Sequence, residues 1–354
     1  MNSSMPPTPQ RVTVPPFDEV WPDVAEAAES SHEASAKYTG WNVTGCITVA
    51  AMVLGLLLVF GGLLAGEGLV ALSGLLMVAV PIVVVLPKVK QLKEQHQESV
   101  VGPLVQSIVA HTHLDDPVAG ERVRLEASYD PAGRVDRRTV ALSGIVADAD
   151  VAGEDLVRGV FGETDFEFCD LRWMEAPQGG GGSGGEASDK AMAWLQEHAS
   201  AVGATMVFFS ADFHKDFTSR TYLYSRKASH RLRRLDEAAA ERLGAAPLRL
   251  EGVEFGQLFE GWTTDQVEAR YLVTPEMLEA VLRFAEQCGA DEYALSFTGS
   301  RMNIAVGFEG DRFGLDFSGK GGAREKTEQI YRDFVFYLTM VEHFRLNTRI
   351  WSKR

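Results

Sequence analysis

The sequence predicts an α+β protein in which an N-terminal two-helix transmembrane hairpin precedes a mostly antiparallel sheet domain with a long C-terminal helix. Three observations predict it. Cys46 to Ala65 and Gly68 to Pro87 are two uncharged runs of 20 residues each, separated by one acid, Glu67. Beyond residue 116 the chain turns to short alternating apolar segments that are not interleaved one-to-one with helices, which favours an antiparallel sheet over a doubly wound parallel one. Residues 325 to 347 then hold a helical spacing to near the end of the chain.

Residues 1 to 37 carry four prolines in the first sixteen positions and then the acids Asp18, Glu19, Asp23, Glu26, Glu29 and Glu33. Such a composition predicts a disordered acidic tail with at most one short helix, because it offers little apolar surface to bury. It also differs from the short basic leader of a cleaved signal peptide.

The hairpin is expected over 38 to 90, with spans about 46 to 65 and 68 to 87. Each run supplies the roughly 20 apolar residues that a bilayer crossing requires, and the chain must turn at Gly66-Glu67-Gly68. Tyr38 and Trp41 suit a headgroup region. Lys88, Lys90 and Lys93 follow the second run while the tip has no basic residue, so both termini are expected on the cytosolic side of an inner membrane. Gly55, Gly61, Gly62, Ser73 and Gly74 offer small surfaces where the helices can approach.

A stalk helix is expected over 91 to 115, from the spacing of Val101, Leu104, Val105, Ile108 and Val109, interrupted by Pro103. The sheet domain then occupies 116 to 354. Its expected strands are 121 to 129, 138 to 147, 165 to 172, 204 to 210, 220 to 225, 248 to 255, 292 to 297, 302 to 308 and 312 to 317. Its expected helices are 187 to 202, 228 to 243, 275 to 287 with Pro275 in the first turn, and 325 to 347. The Gly-rich loop at 178 to 185 reads as a flexible linker, and natural padding and an engineered splice fit it equally.

Charge and cysteine content exclude several classes. Lys plus Arg is 34 against 49 for Asp plus Glu, and a net charge of −15 argues against a nucleic-acid partner. Cys46, Cys169 and Cys288 are too scattered for a disulfide framework or a zinc knuckle. Gly314 to Gly321 approaches the spacing of a phosphate loop through Lys320, yet Gly321 stands where such a loop needs a hydroxyl for Mg²⁺. His111, His113, Asp115 and Asp116 are potential metal ligands without a second ligand group at a recognised spacing. No nucleophile elbow or His-Glu-x-x-His motif occurs, and Glu154-Asp155 reads as the start of a helix or turn. No catalytic residue, cofactor or metal site is therefore assigned. A nucleotide-dependent enzyme using Lys320 or the histidines stands as the alternative to a binding or scaffolding module.

Several segments together resemble a known family: Gly153-Glu154-Asp155-Leu156-Val157-Arg158-Gly159, Phe208-Phe209 leading to Asp212-Phe213-His214-Lys215-Asp216-Phe217, Leu250 to Phe255 with Phe259, Ala269 to Pro275, and Leu346 to Trp351. With the hairpin, they resemble the bacterial family termed domain of unknown function 3137, departing from it at Phe209-Ser210 and Cys169. The resemblance implies a membrane-anchored cytosolic module without an assigned activity, and it implies LemA-type membrane proteins as candidate partners.

One charge feature runs against the overall balance. Arg220, Arg226, Lys227, Arg231, Arg233 and Arg234 precede the next acid, Asp236. Two readings stay open: a solvated helix face pairing with Asp236, Glu237 and Glu241, or contact of Arg226, Lys227, Arg231, Arg233 and Arg234 with anionic lipid, joined by Arg345, Arg349, Lys353, Arg354 and Trp351.

Overall fold

The computed structural model describes residues 11–116, 121–146, 151–173, 205–213, 218–226, 232, 237–249, 253–288, 290, 292–308 and 321–344. The expected helix at 187 to 202, the strand at 312 to 317, the Gly-rich loop and the C-terminal Arg345 to Arg354 lie outside them. The fold is α+β, with a large antiparallel sheet and a long C-terminal helix. By its internal contacts the chain divides into two units, one of residues 17–104 with 314–330 and one of 1–16, 105–313 and 331–354.

The first unit is a helical hairpin. α1 (Phe17–Ala65) and α2 (Gly68–His96) meet at the predicted turn. Gly66 takes a left-handed φ of 74°, and the Glu67 amide donates back to the Gly62 carbonyl at 2.8 Å, a hydrogen bond that closes the end of α1. Glycine sets the crossing. A Cβ on Gly74 would lie 2.4 Å from the Gly55 carbonyl, and one on Gly62 would lie 2.6 Å from the Ala71 nitrogen, whereas Gly61 faces open space.

The acidic tail expected over 1 to 37 is corrected for its described part: β1 (Arg11–Thr13) is a strand, and α1 starts at Phe17. Val20, Val24 and Ala28, spaced by four among the acids, are buried in this unit together with Leu92, Val100 and Val101. Ser31 Oγ hydrogen-bonds His96 Nδ1 at 2.8 Å. Arg324 pairs with Asp18 and stands over the rings of Phe17 and Trp21, with centroids at 5.3 and 5.4 Å. After α2 comes a π-helical turn, Gln97–Val101, and then α3 (Gly102–His111). Pro103 in α3 has no N–H to give the preceding turn, which suits a local change of helical pitch there.

Side chains of 35–53 and 78–90, which include much of both uncharged runs, fall outside the description. Among the described residues no helix is long and apolar enough to cross a membrane. Those that are described near the tip are apolar and open: Leu54, Leu56, Leu57, Phe60, Leu63, Leu64, Leu69, Leu72, Leu75 and Leu76 are all exposed.

The second unit is built on a sheet of eleven strands among the described residues, in the order β1-β2-β3-β4-β5-β6-β11-β10-β7-β9-β8. The strands are β2 (His113–Asp116), β3 (Glu121–Asp130), β4 (Val151–Phe161), β5 (Thr164–Trp173), β6 (Thr205–Asp212), β7 (Thr221–Ser225), β8 (Ala246–Pro247), β9 (Phe259–Thr263), β10 (Glu292–Thr298) and β11 (Arg301–Phe308). Every pairing is antiparallel.

Three expectations are corrected here. Residues 138 to 147 are not a strand, because Asp136 caps a helix through the Arg138 amide and Gly144 ends it at φ 71°, giving α4 (Arg137–Ser143) despite Thr139 and Val140. Glu154-Asp155 starts neither a helix nor a turn but forms a bulge inside β4, with Asp155 at φ 60° and the Tyr129 hydroxyl donating to its carboxylate. In place of a strand at 248 to 255, the described part gives α6 (Val253–Leu258), the short β8 having ended at Pro247 after α5 (Glu237–Leu243). Sequence spacing also missed α7 (Gln266–Leu272), which Asp265 caps by accepting from the Val267 and Glu268 amides.

The two faces of the sheet are covered differently. One carries Phe166, Phe168, Phe209, Ile304, Leu295 and Phe297, all buried. α8 (Pro275–Cys288) and the later turns of α9 (Ala323–His343) supply its aromatic partners: Phe168 packs on Phe334 and Tyr337 at 5.5 and 5.4 Å, and Phe284 on Tyr293 at 5.9 Å. The opposite face is apolar for half its length, where Cys169, Phe208, Ala305, Ala294 and Tyr224 cluster with Val140, Ile145 and Ala240. The other half is polar.

Candidate functional site

The polar half of that face follows from register. Across β3, β4, β5, β6, β11 and β10, the row Ser128, Arg158, Glu167, Ser210, Asn303, Ser296 lies side by side. Residues directly opposite across an antiparallel pair share one face, so these side chains meet although their sequence positions are far apart. Glu126, Ser128, Arg158, Asp165, Glu167 and Arg301 line an open groove of about 530 Å³ on this face.

Arg301 is its best-supported member. Its Nε donates to Ser210 Oγ at 2.8 Å, Nη1 to Asp165 Oδ2 at 2.6 Å and Nη2 to the Ser210 carbonyl at 3.2 Å. Behind it, Ser210 Oγ donates to Asn303 Oδ1 at 2.8 Å, and Asn303 Nδ2 donates to Ser296 Oγ and Thr298 Oγ1, each at 3.3 Å. Ser210, Ser296 and Asn303 are buried, yet each is satisfied within the network, which avoids the cost of a lone buried polar group. Arg158 donates from Nε and Nη2 to one oxygen of Glu167, at 3.2 and 3.0 Å. Both guanidinium groups are thus held in place by carboxylates, with further N–H groups left for a ligand.

In the apolar half of the same face, Cys169 of β5 receives the Val135 amide at 3.3 Å. Burial pushes its thiol up to about 12; the Val135 hydrogen bond opposes that shift, and the nearby charges of Asp170, Glu167 and Asp155 add to it. A thiol held protonated in this way packs as a small apolar group and is a poor nucleophile.

The residues singled out from sequence do not gather here. Arg226 lies on the turn after β7, where its Nε donates to the Gly256 carbonyl at 2.7 Å. Lys227, Arg231, Arg233 and Arg234 lie outside the described residues, as does Lys320. His111 ends α3 with Nδ1 at 2.8 Å from the Ser107 carbonyl, and His113 Nδ1 lies 3.2 Å from the His111 carbonyl. Among the described residues no three His, Cys, Asp or Glu side chains are grouped to hold a metal ion. The groove residues were missed because no local motif marks them; strand register alone brings Arg301 to Asp165.

Fold and groove together define an antiparallel α+β domain carried on the same chain as a helical hairpin. Residues 207–346 match the model of the family described as Protein of unknown function (DUF3137), and over them the chain resembles that family. The match runs from within β6 past the end of α9 and does not include the hairpin. No curated protein matches the chain. Among solved structures, the crystal structure of the mycobacterial trehalose monomycolate transport factor A, TtfA, aligns with a TM-score of 0.30 and 11% identity, over 60% of this chain and 86% of that one.

Proposed function

We propose that this chain is an integral membrane protein of a bacterial inner membrane: a tether that inserts through the α1–α2 hairpin and carries a cytosolic binding or scaffolding module. The observation that carries this reading is the apolar surface near the hairpin tip. Leu64 and Leu69 are 87% and 82% exposed on a pair of helices without a charged residue between Tyr38 and Pro87 other than Glu67. A surface of that kind is stable against lipid chains and costly against water. Lys88, Lys90 and Lys93 favour both termini on the cytosolic side.

In this reading the bilayer is the first partner and the sheet groove is the binding face. Protein partners of the LemA type follow from the family resemblance. Contact of Arg226, Lys227, Arg231, Arg233 and Arg234 with anionic lipid is a secondary attachment that salt would weaken. The test is extraction: membranes holding the full chain are washed with high salt and then with alkaline carbonate. The chain stays in the pellet if the hairpin is inserted, and its release by either wash rejects the tether.

A further inference from the structure

We infer that the groove is a receptor for a zwitterion, a small group bearing an oxyanion and an ammonium a few ångströms apart, with the oxyanion on Arg301 and the ammonium beside Glu126 and Glu167. This rests on reading the sheet unit as a binding module and is independent of the membrane tether.

Two adjacent rows of the same sheet face carry the argument. Cys169, Phe208, Ala305 and Ala294 form an apolar row; one step along the strands, Glu167, Ser210, Asn303 and Ser296 form a polar one. Packing alone would be served by continuing the apolar row, since a buried polar network gains little stability over apolar residues of similar size. The polar row fixes Arg301. Three of the five N–H donors of a guanidinium are taken up by Ser210 and Asp165, leaving one on each terminal nitrogen for a ligand oxygen. A charged group held by buried partners in this manner is preorganised for recognition.

The acids decide the ligand class. Glu126 is exposed and has no ion-pair partner among the described residues. Glu167 spends only its Oε2 on Arg158. Glu126, Asp165 and Glu167 outnumber Arg158 and Arg301 by one, so a plain anion meets surplus negative charge and a plain cation meets two guanidinium groups. A ligand with both charges satisfies both sides. The spacing agrees: Glu126 on β3 and Asp165 on β5 are two strand intervals apart, roughly 10 Å of sheet, and Arg301 already reaches Asp165. A free amino-alkyl phosphate and an ethanolamine phospholipid headgroup share this chemistry.

The experiment titrates the full chain, in a non-ionic detergent, with O-phosphoethanolamine in a calorimeter. Saturable binding is expected, with inorganic phosphate and ethylammonium each weaker by roughly tenfold or more. Arg301→Gln should abolish binding, and Glu126→Gln, an exposed change that leaves the network intact, should weaken it by roughly threefold to tenfold. Repeating the titration in nanodiscs with and without phosphatidylethanolamine separates the sources: competition by the lipid assigns the headgroup, and an unchanged titration assigns the free solute. Absence of saturable binding at millimolar O-phosphoethanolamine overturns the inference, as does inorganic phosphate binding equally well or Glu126→Gln having no effect. A chain that resists carbonate yet ignores the zwitterion would reject this ligand class while leaving the tether in place.

Discussion

Leu64 and Phe168 show how differently the two units treat the same physical demand. Leu64, near the hairpin tip, is 87% exposed, while Phe168 in β5 is fully buried between Phe334 and Tyr337. Among the described residues of the sheet unit most large apolar side chains are covered by protein, Leu142, Val267 and Tyr271 being exceptions, so exclusion from water accounts for the burial pattern. The described tip of the hairpin buries little, and its glycines bring the two helices together without covering their outer surfaces. Both units carry large apolar side chains. What distinguishes them is whether the chain itself supplies the cover.

The sharpest way to break the comparison is to remove one large side chain from each region. Phe168→Ala should cost about 3–5 kcal/mol of sheet-unit stability, whereas Leu64→Ala in detergent should shift the same urea transition by no more than about 0.5 kcal/mol. Equal losses would mean that the tip is covered by protein after all.

A smaller effect is expected within the sheet. Asn303→Ala leaves the Ser210 hydroxyl without its buried acceptor and should cost about 1–3 kcal/mol, read from the same transition. If it is neutral, the polar row contributes no more than its apolar neighbour.

Cys169 sharpens the contrast between buried and open chemistry through pH. The folded state keeps the thiol protonated up to about 12, while the unfolded chain releases the proton near 9.0, so the folded state binds more protons between those values. Stability is therefore unaffected below that window and falls as pH rises through it, by up to roughly 1.4 kcal/mol per pH unit. Cys169→Ala should flatten this dependence in urea midpoints taken below and above the unfolded thiol's value.

The smallest effect belongs to the groove rim. Arg158→Gln removes a pair in which the arginine is 57% exposed, and the expected loss is about 0.2–1 kcal/mol. A loss well above that would make the pair part of the structural core rather than of a binding face.

These contrasts also explain what was legible beforehand. The hairpin turn at Gly66-Glu67-Gly68 and the strands near 121, 165, 205, 221, 292 and 302 follow from local pattern, because charge-free length and alternation are properties of contiguous residues. The helix at 137–143 was hidden by Thr139 and Val140, whose strand preference gave way to the caps at Asp136 and Gly144. The start of α1 was hidden by its acids, which lie on the face away from Val20, Val24 and Ala28. Arg301, Asp165 and Ser210 had no signature at all: they are 91 and 136 positions from one another as donor and acceptor, and only the pairing of β5, β6 and β11 unites them.

The most direct measurement of the central claim places a nitroxide spin label in turn at Leu57, Leu64, Leu72 and Glu29 of the full chain in liposomes and records its relaxation by oxygen and by a water-soluble nickel chelate. Lipid insertion predicts that labels at the three leucine positions relax with oxygen and are shielded from nickel, while the label at Glu29 shows the reverse. Nickel access at Leu57, Leu64 and Leu72 equal to that at Glu29 would contradict the account and place the hairpin tip in water.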